Sequence, residues 1–160
     1  MQGPKLDTAK QATRDVVESL DPADEVGVIA FDSEATVVVP LQRASNRTKI
    51  EAAIKDVTAG GGTNILPALK GALTALRGSK LKLKHILLLT DGEAPYDGIP
   101  ELLKDVEYDH ITISTIGVQG ADRNLLALIS DAGGGRLYMV EEVGSLPKLF
   151  LKELKAAFKR

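Results

Sequence analysis

A chain of 160 residues has the length of one domain with a sizeable core. Apolar residues make up 44% and charged residues 26%, ordinary for a globular chain, and a net charge of −2 gives no basic excess to attract nucleic acid. The absence of cysteine excludes disulfides and thiolate metal sites and leaves the redox compartment open. No apolar run approaches the ~20 residues of a membrane helix, and the start, MQGPKLDTAK, has no apolar signal core. The chain as written is therefore expected in the cytoplasm, although a secreted or membrane-attached parent protein is compatible with it. The basic cluster Arg77, Lys80, Lys82, Lys84 and His85 lies between a helix pattern and a strand pattern and reads as a solvated loop.

In chain order, Leu6, Ala9, Thr13, Val16, Val17 and Leu20 recur at helical spacing, so residues 3–20 are expected as a helix. Pro4 suits its first turn and Asp21-Pro22 stops it. Residues 25–31 (EVGVIAF) and 35–41 (ATVVVPL), joined by Asp32-Ser33-Glu34, predict a hairpin. Pro40 cannot donate to a ladder, which makes the second strand an edge. Ile50, Ala53, Ile54 and Val57 mark a helix capped near Ser45 or Asn46. After Gly60-Gly61-Gly62-Thr63-Asn64, Ile65 to Leu76 carries another. HILLLT, residues 85–90, is a short apolar strand ending at Asp91-Gly92. A helix over 99–107, a strand over 110–118 and a helix capped by Asp122 follow. Gly133-Gly134-Gly135 ends that helix, Leu137 to Val140 forms the last strand, and Leu146 to Phe158 makes an amphipathic helix. Strands alternating with helices predict a largely parallel sheet covered on both faces, in one domain over 1–160.

In open sheets of this kind, sites lie beyond the carboxyl ends of the strands. Asp91 stands there as a hard oxygen donor, although Asp-Gly is also a common turn. Thr63 follows glycines that let backbone come close to something. GGGTNILPAL looks like a phosphate cradle, but a helix precedes it and no Lys follows Thr63, so nucleotide binding is disfavoured. His85 and His110 fall at strand starts, away from the expected site, and read as solvated or core-edge side chains. Ser33 falls in the hairpin turn. Glu93, Asp97 and Glu101 read as solvated charge, and nothing specifies a hydrolase.

TAGGGTNILPALKGAL followed by HILLLTDGEA, together with EVGVIAFDSEATVVVPL and the spacing between these blocks, resembles the von Willebrand factor A family, bacterial type, over essentially the whole chain. The resemblance implies a three-layer, Rossmann-like fold with one antiparallel edge hairpin. It also implies a non-enzymatic protein-interaction module bearing a metal-ion-dependent adhesion site, where Mg²⁺ or Mn²⁺ engages a partner carboxylate. The family's Thr and Asp ligands correspond to Thr63 and Asp91, with Gly61, Gly62 and Gly92 shaping their loops. Family members supply an Asp and two Ser from a DxSxS motif that ends a first, central strand. Met1-Gln2-Gly3-Pro4-Lys5 resembles the segment after that motif, so the first strand and its ligands are expected to precede Met1.

Two expectations follow. Mg²⁺ favours six oxygens and gives up water reluctantly, so binding by this chain should be weak or absent. At the place of the missing strand, residues 25–31 and 85–90 either close up and pair directly or keep a slot open to another strand or to self-association, and the helices packed on the strands favour the slot. The alternatives are a metal-independent scaffold, in which Thr63 and Asp91 only shape loops, and a nucleotide-binding or hydrolytic α/β protein.

Overall fold

The computed structural model describes Met1 and residues 3–158; Gln2 of the Met1–Lys5 segment lies outside the described residues. The elements, in order, are α1 (Pro4–Ser19), β1 (Glu25–Phe31), β2 (Ala35–Arg43), α2 (Arg47–Lys55), α3 (Ile65–Arg77), β3 (His85–Thr90), α4 (Ile99–Tyr108), β4 (Thr112–Val118), α5 (Arg123–Ala132), β5 (Gly134–Val140) and α6 (Leu146–Phe158), with a 3-10 turn at Val143–Ser145 before α6.

Alternation along the strands divides the core into two faces. On β4, Ile113 joins a cluster with Leu69, Leu103 and Leu125 from α3, α4 and α5. Its neighbours Ile116 and Val118 join Ala12, Leu146 and Phe150 from α1 and α6. Val39, Ile50, Ile54 and Val17 tie β2 and α2 to α1. Helices thus cover both faces, as expected of three layers. Each fully buried Ile or Leu contributes roughly 1.5–3 kcal/mol, so these clusters hold the layers together.

The strands form two separate sheets. β1 and β2 make an antiparallel hairpin, and β3, β4 and β5 make a parallel sheet in that order. Among the described residues β1 and β3 share no ladder, so each keeps one unpaired edge. The expected slot is present as a cavity of about 820 Å³ lined by β1, β3 and residues of α1, α3 and α6. Leu6, Thr13 and Val16, on the apolar stripe of α1, line this cavity and are only half-buried.

Several local expectations need correction. β4 begins at Thr112, because His110 sits in a turn with φ 56°, a backbone no ladder uses. β5 begins at Gly134, so the glycine run enters the strand as well as ending the helix. Gly135 lies so close to the Ile113 carbonyl that a β-carbon would collide with it. Asn46 occupies the N-cap position of α2, but its amide donates to Gln42 Oε1 and leaves the helix uncapped by a side chain. Asp122 does cap α5, accepting from the Leu125 amide.

Candidate functional site

The loops after β1, before α3 and after β3 meet at one end of the strands. The Ser33 amide donates to Gly61 O at 3.1 Å and the Asn64 amide to Asp32 O at 2.7 Å, pinning the glycine loop to the hairpin turn. Gly62 has φ 79°, and its α-carbon faces Ser33 closely, so a side chain there would be both strained and crowded. At Gly92, a β-carbon would lie 2.6 Å from Thr63 Oγ1. Gly61 shows no such constraint, since a β-carbon there would meet nothing within 4 Å. Gly60, which the motif reading passed over, is the tighter position: a side chain on it would run into the Asp32 carboxylate.

The loops of Thr63 and Asp91 therefore touch at Gly92, and both residues line the cavity. The Thr90 hydroxyl accepts the Gly92 amide at 3.3 Å, and the Asp122 amide donates to Gly92 O at 3.4 Å, which fixes the turn that presents Asp91. The Asp91 carboxylate, 21% exposed, faces the Lys5 ammonium, whose Nζ lies 3.4 Å from Oδ2. Sequence spacing gave no sign of Lys5, which reaches Asp91 only because α1 starts beside the end of β3.

The donor set does not by itself fit a divalent cation. Thr63 offers a neutral hydroxyl and Asp91 one carboxylate already facing Lys5. Among the described residues no group of three or more His, Asp or Glu side chains could hold a metal. A six-coordinate Mg²⁺ would keep most of its waters here. Glu93, Asp97 and Glu101 add no such group.

A second polar cluster lies at the opposite end of β3. Glu153 of α6 is wholly buried and accepts from Arg136 Nε at 2.5 Å, Arg136 Nη2 at 3.0 Å and Tyr138 Oη at 3.0 Å. Burial alone would raise its pKa, but hydrogen bonds from Arg136, Ser114 and Tyr138 outweigh burial and hold it below the usual carboxylate range. His85 is not part of a solvated basic loop. Its side chain is 7% exposed, with Nδ1 2.7 Å from Thr112 Oγ1 and Nε2 3.3 Å from Glu153 Oε2. Burial lowers its pKa, against the pull of Glu153 and with the push of Arg136. Arg77 also leaves the expected cluster, pairing with Asp109 at 2.6 Å.

Residues 1–152 match the von Willebrand factor type A domain family. The chain belongs to this family. It is 34% identical over 146 residues to the Synechocystis protein sll0103, a match that covers 88% of the chain and 35% of that protein. The chain thus spans about a third of this curated relative. Among solved structures, a von Willebrand factor type A protein from Catenulispora acidiphila superposes with a TM-score of 0.85 at 24% identity, covering 95% of the chain and 38% of that structure. Proximal thread matrix protein 1 from the mussel byssus, with a zinc-occupied MIDAS motif, superposes with a TM-score of 0.80 at 20% identity, covering 96% of the chain and 43% of that structure. At these identities the structural likeness concerns the fold. Type A domains mediate protein–protein interactions, and no helix among the described residues is long and apolar enough to cross a membrane.

Proposed function

We propose that this von Willebrand factor type A chain binds a protein partner through the loop end that carries Thr63 and Asp91. The observation that carries this reading is the contact between their loops: Gly92 leaves no room for a side chain beside Thr63 Oγ1, 2.6 Å from where a β-carbon would stand. This contact holds the loop of the Thr63 hydroxyl against the loop of the Asp91 carboxylate, which supports a shared site. A carboxylate-bearing partner would be drawn there by a divalent cation, Mg²⁺ or Mn²⁺, and the remaining oxygen ligands would come from outside these 160 residues. Thr63 and Asp91 would then supply two positions of the shell, with Gly62 and Gly92 shaping their loops.

The second reading is a scaffold that needs no metal. It is favoured by the ion pair between Lys5 and Asp91, in which an ammonium already answers the carboxylate. One experiment separates the two. The chain as given and the chain preceded by a strand ending in DxSxS are titrated with Mg²⁺ in the presence of a labelled glutamate-bearing peptide. The proposal expects Mg²⁺-dependent peptide binding by the extended chain, lost in both Thr63→Ala and Asp91→Ala while each variant stays folded. Binding indifferent to Mg²⁺, or unchanged by either substitution, supports the scaffold.

A further inference from the structure

We infer that the cavity between the β1–β2 hairpin and α2 receives one arginine side chain of the protein partner, beside the loop that leads to Thr63. That the ligand belongs to a protein rests on the interaction proposed at Thr63 and Asp91; that it is a cation rests on the cavity's own lining. The cavity has a volume of about 280 Å³. Thr36 of β2 lines it, while the adjacent Val37 lines the slot, so cavity and slot lie on opposite faces of that strand. Its apolar wall is made by Val38, Ala53 and Val57, from β2, α2 and the segment after α2. Three carboxylates also line it: Asp32 and Glu34 from the hairpin turn, and Asp56 from the C-terminal end of α2.

No Lys or Arg lines the cavity, and none of its three carboxylates forms an ion pair among the described residues. Asp32 is fixed in place: its Oδ1 accepts the Glu34 amide at 2.8 Å, and a β-carbon on Gly60 would collide with its Oδ2. The end of α2 adds to the negative potential, since the carbonyl end of a helix favours cations. The Lys55 carbonyl there already accepts Lys10 Nζ at 2.8 Å. The carboxylates are too dispersed to chelate an ion, for no group of three or more His, Asp or Glu side chains among the described residues could hold a metal. Dispersed acceptors suit a broad, planar cation with several donors, which selects the guanidinium of arginine over the compact ammonium of lysine. Val38, Ala53 and Val57 would cover the methylene stem while the head meets the carboxylates. Backbone bonds place the cavity beside the proposed interaction end. Ala59 and Gly60 line it, and the Asn64 amide donates to Asp32 O, so the hairpin turn borders both the cavity and the loop of Thr63.

The test is a titration of the isotope-labelled chain, without Mg²⁺, with Nα-acetyl-arginine methylamide, read by amide chemical shifts. Saturable shifts are expected at Glu34, Thr36, Asp56 and Gly60. Nα-acetyl-norleucine methylamide keeps the stem and lacks the head, and should bind about tenfold more weakly. Glu34→Gln and Asp56→Asn, both at exposed positions, should each weaken arginine binding about two- to fivefold, the range of an exposed charge pair. Equal binding of the norleucine compound would make the cavity a merely apolar pocket and overturns the inference. Shifts that fail to saturate, fall elsewhere or ignore both substitutions overturn it as well, because they mean surface adsorption. The metal-free setting keeps this result apart from the fate of the metal site. A failed titration beside Mg²⁺-dependent peptide binding by the extended chain strikes the cavity alone, and a successful one beside binding indifferent to Mg²⁺ strikes the metal site alone.

Discussion

The backbone of Gly92 lies against the hydroxyl of Thr63, so close that any β-carbon at residue 92 would stand 2.6 Å from Oγ1. Residues from two loops are thereby coupled. Gly92→Ala should destabilise the chain by about 1–3 kcal/mol through overpacking. Thr63→Ala removes the clashing oxygen, so the double variant should lose less than the sum of the single losses. Urea denaturation of the four proteins checks this, and strict additivity would show that the loops are not in contact.

Mg²⁺ should barely stabilise the chain as given. A ligand that binds only the native state stabilises by RT ln(1 + [L]/Kd), which at a Kd ten times the metal concentration is about 0.06 kcal/mol. Thermal melting with and without millimolar Mg²⁺ should agree within error. A clear rise that Asp91→Ala abolishes would refute the expectation.

Lys5→Ala should change stability by no more than about 0.5 kcal/mol, because an ammonium 39% exposed pairs with Asp91 in a largely aqueous setting. Its effect should be seen instead in the Asp91 carboxyl chemical shift. A loss well above 1 kcal/mol would mark the pair as structural.

Glu153→Ala should be far more damaging. The carboxylate is wholly buried and holds Arg136 and Tyr138 together. Removing one partner of a buried pair costs about 3–5 kcal/mol, and here about 2–3 kcal/mol is expected because Arg136 can turn toward water. The same denaturation assay measures it, and a neutral result would show that the cluster contributes nothing to folding.

Acid should weaken the fold through both members of this cluster. His85 has its folded pKa below its ordinary value, so the unfolded chain binds the proton first and stability falls as pH drops below about 6.5. Glu153, also lowered, contributes stability above the ordinary carboxylate pKa that is lost as pH falls through its folded value. His85→Gln should flatten the stability profile just below pH 6.5 and leave the steeper carboxylate loss in place. An unchanged slope in that window would place the ring in water.

The sequence by itself determined what periodicity and local turn chemistry carry. HILLLT is β3 residue for residue, Asp122 caps α5, and the loops of the Thr63 and Asp91 blocks meet where Gly92 lies against Thr63. What only the tertiary structure decided depends on residues distant along the chain. Lys5 reaches Asp91 across 86 positions, and Glu153 gathers Arg136, Tyr138 and His85 from strands that give no hint of α6. Gly134 and Gly135 read as a helix stop, yet they belong to β5 because the Ile113 carbonyl leaves no space for a side chain at 135. The half-buried stripe of α1 shows the same limit: a helical repeat in sequence shows which face is apolar, but what covers that face depends on which strands pair. The unpaired edges of β1 and β3 leave Leu6 and Val16 facing a cavity.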